Sequence, residues 1–231
     1  MDQGQGIADL QGNAQHIEDA YCTQSDRAHR KKFGQVFTPP RLAALMADWV
    51  CAIKPQTVID PAFGTGALAR AVWDRSPKTQ IIGYDIDPVV CDYVADLSYE
   101  NMTLKCENYL AHQLNNITGF VANPPYIRQR DLEGGEAMRQ NLSARAGHAI
   151  PKSANIYIHF CTKMILELAQ GGRAAIIIPS EWLNANFSTS LKAMLIERDC
   201  LKHIISFSHD TALFDDAMTT ASILLLERPH D

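Results

Sequence analysis

The chain has 231 residues, of which 46% are hydrophobic and 20% charged, and a formal net charge of −5. That balance suits one large soluble domain and excludes a disordered or fibrous chain. The acidic charge excludes a surface built throughout to hold polyanions, which needs clustered Lys and Arg. No apolar run is long enough to span a bilayer, and the polar start from Met1 to Gln15 lacks the charged-then-apolar order of a secretory signal. A cytoplasmic protein without a membrane partner is therefore expected. Six scattered cysteines and eight dispersed histidines form neither a Cys-x-x-Cys pair nor a helical His pair, so no metal site is expected.

In chain order, residues 1–32 read as a polar leader, partly helical or flexible, carrying a basic cluster at Arg27, Arg30, Lys31 and Lys32. Thr38-Pro39-Pro40 is a helix start, and Leu42, Leu45, Met46 and Trp49 lie on one face of a helix expected over Pro40 to Cys51. Short apolar runs then follow at Thr57–Asp60, Gln80–Asp85, Met102–Cys106, Gly119–Ala122, Arg173–Pro179, Leu201–Phe207 and Ser222–Glu227, each with the length and composition of a strand. Helical stretches separate most of them, at Ala67–Asp74, Pro88–Leu97, Asn155–Ala169 and Ser188–Arg198. Such alternation implies an α/β fold, a mostly parallel sheet with helices on both faces. The last two strands have only a loop, His209 to Thr220, between them and are expected to pair antiparallel. Ile127 to Ser153 is the longest irregular stretch, with a short helix expected near Glu136 to Arg145. Its basic residues Arg128, Arg130, Arg139, Arg145 and Lys152, like the first cluster, read either as a phosphate-facing patch or as a solvated face.

The segment from Val58 to Leu68 joins a buried strand ending in Asp60 to a helix through a turn holding Gly64 and Gly66. Such a turn lets a ligand approach the backbone closely. The next strand ends in Asp85, about twenty residues beyond the glycines, where a carboxylate accepts hydrogen bonds from ribose hydroxyls. These features predict an adenosine-containing cofactor, but they do not separate NAD from S-adenosylmethionine, because Gly64, Gly66 and Ala69 also satisfy the dinucleotide pattern.

Asn123-Pro124-Pro125-Tyr126 comes directly after the strand ending at Ala122. Asn-Pro-Pro is a strong turn signal in its own right, yet in an open α/β sheet this place, beyond the carboxyl end of the fourth strand, is where ligands bind. The chemistry fits an exocyclic amine or a carboxamide, whose delocalised lone pair makes it a poor nucleophile. Two acceptors, the Asn123 side-chain oxygen and the Pro124 carbonyl, favour a pyramidal nitrogen and stabilise the positive charge that develops on it. Tyr126 offers a face for a planar base, with stacking of roughly 1–3 kcal/mol that offsets extrusion from a duplex.

With these motifs in view, the chain resembles the amino-methylating (adenine-N6) DNA methyltransferases, in the group whose cofactor motifs come first and whose recognition domain comes last. The resemblance covers roughly Phe33 to Arg228 and makes 33–231 the catalytic domain, with a Rossmann-like class I methyltransferase fold: a mostly parallel seven-stranded sheet and an antiparallel final hairpin. It implies S-adenosylmethionine as cofactor and DNA as partner, the adenine flipped from the duplex, within a restriction-modification or related system. Gly34 to Pro40 resembles the family's amino-terminal motif, in which Thr38 lies against the methionine part of the cofactor. Asp60, Gly64 and Gly66 match the glycine turn and Asp85 the ribose acid. Glu107-Asn108-Tyr109-Leu110 resembles the adenine-binding motif, with Asn108 where an Asp is usual, Glu107 as its competitor, and Tyr109 as the aromatic. Gly171 to Leu183 resembles the fifth strand and its turn. Leu213 to Ala221 resembles the loop that supplies a second aromatic, making Phe214 the expected partner of Tyr126. No target-recognition domain is legible in the chain, so a separate or missing recognition domain or subunit is expected. A methyltransferase acting on a protein glutamine or an RNA adenine, and a non-catalytic cofactor-binding subunit, remain alternatives.

Overall fold

The computed structural model describes residues 17–95, 99–127, 135–207 and 220–230. Helical residues 17–24 (α1) and Arg27–Phe33 (α2) precede α3 (Pro40–Cys51). Then come β1 (Thr57–Asp60), α4 (Ala67–Arg75), β2 (Gln80–Tyr84), α5 (Pro88–Val94), β3 (Met102–Lys105) and β4 (Ile117–Ala122). The remainder is α6 (Gly135–Ala146), α7 (Ile156–Glu167), β5 (Leu168–Pro179), α8 (Thr189–Glu197), β6 (Leu201–Ser206) and β7 (Ala221–Glu227). The expected class is observed: one seven-stranded sheet of order β3-β2-β1-β4-β5-β7-β6, parallel from β3 to β5, with β7 antiparallel to both β5 and β6.

Period-two alternation builds two cores. Ile59, Phe120, Ile176, Ile178, Leu224 and Leu226 face α7 and α8 on one side. Their neighbours Val58, Val121, Ala175, Ile177, Ile223 and Leu225 face α3 and α4 on the other. Each of the Val, Leu, Ile and Phe side chains, fully buried, contributes roughly 1.5–3 kcal/mol. Because both faces are covered, Ala174–Ile178 of β5 and Ile223–Leu226 of β7 read as apolar runs rather than alternating ones. Helix α7, capped by the Asn155 side chain, is buried around its whole circumference, including His159, Lys163 and Glu167. A helix of that kind belongs between layers, not on a surface.

One strand runs longer than its composition suggests, and one weakly signalled helix forms about where it was expected. Strand β5 starts at Leu168, with an irregular register against β4 between Ile117 and Gly119 and a left-handed Gly171 (φ 68°). The polar Gln170 and the glycine pair hide that continuation in the sequence. Helix α6 forms where apolar spacing is weak, burying chiefly Leu142. The helix expected through Leu97 is described to Val94, and Leu97 itself lies outside the described residues.

The strand order decides where a ligand can go. The chain steps outward from β1 to β3, then returns to lay β4 against the opposite side of β1. A crevice therefore opens beyond the carboxyl ends of β1 and β4, at the point where the order reverses.

Candidate functional site

A cleft of about 890 Å³, part of it open to solvent, lies over this crevice. Thr38, Gly64, Asp85, Glu107, Asn108, Tyr109, Asn123 and Pro125 line it, so residues drawn from five separate motifs meet on one surface. Asp60, Gly66, Pro124 and Tyr126 adjoin it without forming its wall. Phe214 lies outside the described residues, as do Arg128 and Arg130.

Asn123 comes just after the last residue of β4, and its amide is fixed from two directions. Its Nδ2 donates to the Val36 carbonyl oxygen at 2.7 Å and to Thr38 Oγ1 at 3.1 Å. A carbonyl oxygen can only accept, so the amino group must face Val36 and Oδ1 must face the other way. There Oδ1 accepts from the Tyr126 hydroxyl at 2.8 Å, which leaves it one lone pair. The segment after α2 can lie this close to the tetrapeptide only because residue 34 is glycine. Its φ is 64°, and a Cβ there would stand 3.0 Å from the Tyr126 nitrogen and 2.8 Å from the Ile127 side chain. Tyr126 is half-buried, its ring edge-on to Tyr157 at 6.2 Å, and burial raises its phenol pKa. Tyr157 in turn donates to Glu181 at 3.3 Å and meets Phe187 edge-on at 6.3 Å. Nothing in the sequence marked Tyr157, which looks like an ordinary apolar residue of α7.

At the other end, Asp85 comes just after β2. Its Oδ2 accepts from the Gly64 N–H at 2.8 Å and its Oδ1 from the Asp87 N–H at 2.9 Å, while burial raises its pKa. The Gly66 N–H is likewise committed, to the Phe63 carbonyl oxygen at 2.8 Å. Gly66 begins α4 at φ 82°, and a Cβ on it would strike the Phe63 ring at 2.7 Å. Gly64 instead faces open space. The Asn108 side chain accepts from the Leu110 N–H at 3.0 Å, while Glu107 pairs with His112 at 2.9 Å. Tyr109 is only 1% exposed, so most of its ring belongs to the core.

Residues 17–33 pack onto the same edge, although their polar composition sets them apart from the sheet-forming remainder of the chain. Asp87, wholly buried, accepts from Gln35 Nε2 at 2.7 Å and contacts His29 Nε2 at 2.7 Å, while the Tyr21 hydroxyl donates to it at 3.4 Å. In sequence Asp87 looks like a plain helix cap, a role it also fills for Val89. One residue of each basic cluster is engaged locally: Arg30 bonds the Cys22 and Ser25 carbonyl oxygens, and Arg139, on α6, bonds Glu136 and the Ile150 carbonyl oxygen.

A family model described as N-6 DNA Methylase matches residues 21–231, which is most of the chain. The chain belongs to this family. Among its relatives, the Type II methyltransferase M.AccI of Acinetobacter calcoaceticus is 34% identical over 216 residues, covering 90% of this chain and 39% of the relative. The Type II methyltransferase M.XamI of Xanthomonas campestris pv. amaranthicola is 29% identical over 175 residues, covering 71% and 33%. The chain thus spans well under half the length of these curated relatives. In fold it is similar to the methyltransferase subunit of a type I restriction-modification system from Streptococcus thermophilus, with a TM-score of 0.69 at 20% identity over 84% of this chain and 45% of that one.

The family implies S-adenosylmethionine, and the wall fits it. Among the described lining residues the charged ones are Glu18, Asp85 and Glu107, with no Lys or Arg. The N–H groups of Gly64 and Gly66 already serve Asp85 and Phe63, so neither remains to hold a dinucleotide's pyrophosphate. An acidic wall suits a cation, and the methyl donor carries one at sulfur.

Proposed function

We propose that the chain transfers a methyl group from S-adenosylmethionine to the N6 amine of adenine in DNA, in a restriction-modification or related system. The observation that carries this reading is the Asn123 amide, held by Val36 and Thr38 so that its oxygen is an oriented acceptor beside the cleft. Bound there, the cofactor supplies an electrophilic methyl group on a sulfonium.

Asn123 Oδ1 and the Pro124 carbonyl oxygen accept the two hydrogens of the amine. The nitrogen lone pair is thereby turned out of conjugation, and the charge that grows on nitrogen meets acceptors already in place. No base need remove a proton beforehand, because the methylated nitrogen sheds one readily afterwards. Tyr126 stacks on the flipped adenine, with Tyr157 behind its ring, and Phe214 is assigned to the opposite face. Asp85 takes the ribose hydroxyls, Asn108 or Glu107 the adenine amine, and Thr38 the methionine part. Asp60, Gly64 and Gly66 shape the turn beneath. Sequence reading belongs to a further recognition domain or subunit. The net charge of −5 supports that division, because a phosphate-holding surface needs clustered Lys and Arg.

Asn123→Ala tests the core of the reading. Transfer of labelled methyl to duplex DNA should fall at least about 100-fold, with S-adenosylmethionine affinity by calorimetry nearly unchanged. Wild-type turnover in that variant would remove the acceptor mechanism. Methylation of RNA or of a glutamine peptide, with none of DNA, would reassign the substrate.

A further inference from the structure

One acid on the cleft wall belongs to none of the motifs. Glu18, on α1, lines the cleft yet is only 5% exposed, and it accepts from Thr65 Oγ1 at 3.4 Å, inside the glycine turn. Burial pushes its carboxyl up to about 7, against the pull of Arg70 and the Thr65 hydrogen bond and with a small push from Asp19. Arg70 itself is turned to the Thr65 carbonyl oxygen through Nη1, and its Nε and Nη2 have no hydrogen-bond partner among the described residues. Glu18 is thus a desolvated carboxyl facing a ligand-sized space, and such a group gains most from a cation.

The chemistry of the cofactor says which cation. Its ribose belongs with Asp85, its adenine with Glu107 to Tyr109, and its methyl group with Asn123. What remains is the amino-acid tail, whose ammonium needs an acceptor. Of the other acids on the wall, Asp85 carries two backbone N–H groups and Glu107 is paired with His112. We propose that Glu18 is a cofactor-binding residue that receives the α-ammonium of S-adenosylmethionine, so that α1 forms part of the cofactor site. The inference rests on the cofactor reading above.

Calorimetry on the full chain with three ligands tests it: S-adenosylmethionine, S-adenosylhomocysteine, and 5′-methylthioadenosine, which lacks the amino-acid tail. Glu18→Gln keeps the shape and the Thr65 bond but removes the charge. It should weaken the first two ligands by about 10- to 100-fold and leave 5′-methylthioadenosine within about twofold. Equal affinities in wild type and variant overturn the proposal, and so does an equal loss for all three ligands, which would mean that Glu18 only seats the helix. If the variant shows no cooperative melting, wild type titrated with S-adenosylhomocysteine and with its deaminated analogue takes its place: loss of the ammonium should weaken binding by about 10- to 100-fold, and an unchanged affinity overturns the proposal. Failure of the folded wild type to bind S-adenosylmethionine at all would instead overturn the cofactor reading on which this depends.

Discussion

Asp60 ends β1 with its side chain 1% exposed; Oδ1 accepts a long bond from the Ala62 N–H at 3.4 Å, and Oδ2 has no donor among the described residues. Burial therefore pushes its carboxyl up to about 8, helped by the charge of Asp85, and the group is protonated at neutral pH. A folded-state pKa above the unfolded one means that the native chain holds the extra proton between about pH 4 and 8. The contribution to stability is whole below that window and is lost as pH rises through it. Asp60→Asn, which cannot ionise, should gain in melting temperature relative to wild type as pH rises from about 5 to 8. A difference that is flat with pH would mean that Asp60 is solvated or paired. Position alone made Asp60 and Asp85 look alike, each closing a parallel strand. The packing separates them, because Asp60 is buried away from the cleft and only Asp85 is on its wall.

Between elements, the Tyr109 end of the cleft, proposed above to take the cofactor's adenine, leans on a buried charge pair contributed by α7. The Tyr109 hydroxyl donates to Glu167 Oε2 at 2.8 Å, the Leu114 N–H donates to Oε1 at 2.8 Å, and Lys163 bonds the same carboxylate. Lys163 Nζ also stands 3.9 Å from the Tyr109 ring centroid. Such a pair adds little net stability against an apolar replacement, but removing one partner strands the other in a low dielectric. Glu167→Ala should cost about 3–5 kcal/mol in urea unfolding and should weaken S-adenosylmethionine binding as Tyr109 shifts. A loss below about 1 kcal/mol would place the pair in solvent. No local pattern signals this link, since Tyr109 and Glu167 are 58 residues apart and a Lys four residues before a Glu reads as a surface pair.

Across the whole molecule, burial is deepest in the middle of the sheet. Strands β4, β5 and β7 are buried almost throughout, whereas β3 and β6, at the two edges, are largely half-buried or exposed. Amide exchange should therefore be slowest in β4, β5 and β7 and fastest among strands in β3 and β6; protection in β6 equal to that in β5 would show that the edge is covered in solution. The alternation of strands and helices, the start of α3 at Pro40, the glycine turn and the Asn-Pro-Pro-Tyr turn were all legible from sequence. Each is dictated by neighbours along the chain: apolar period, proline φ, a glycine where a Cβ would collide. The insertion of β7 between β5 and β6, the stitching of Asn123 to Val36 and Thr38, and the arrival of Glu18 at the cofactor cleft were not legible. These depend on contacts between residues far apart in the chain, chosen by how the two faces of the sheet are filled, and no run of adjacent residues encodes that choice.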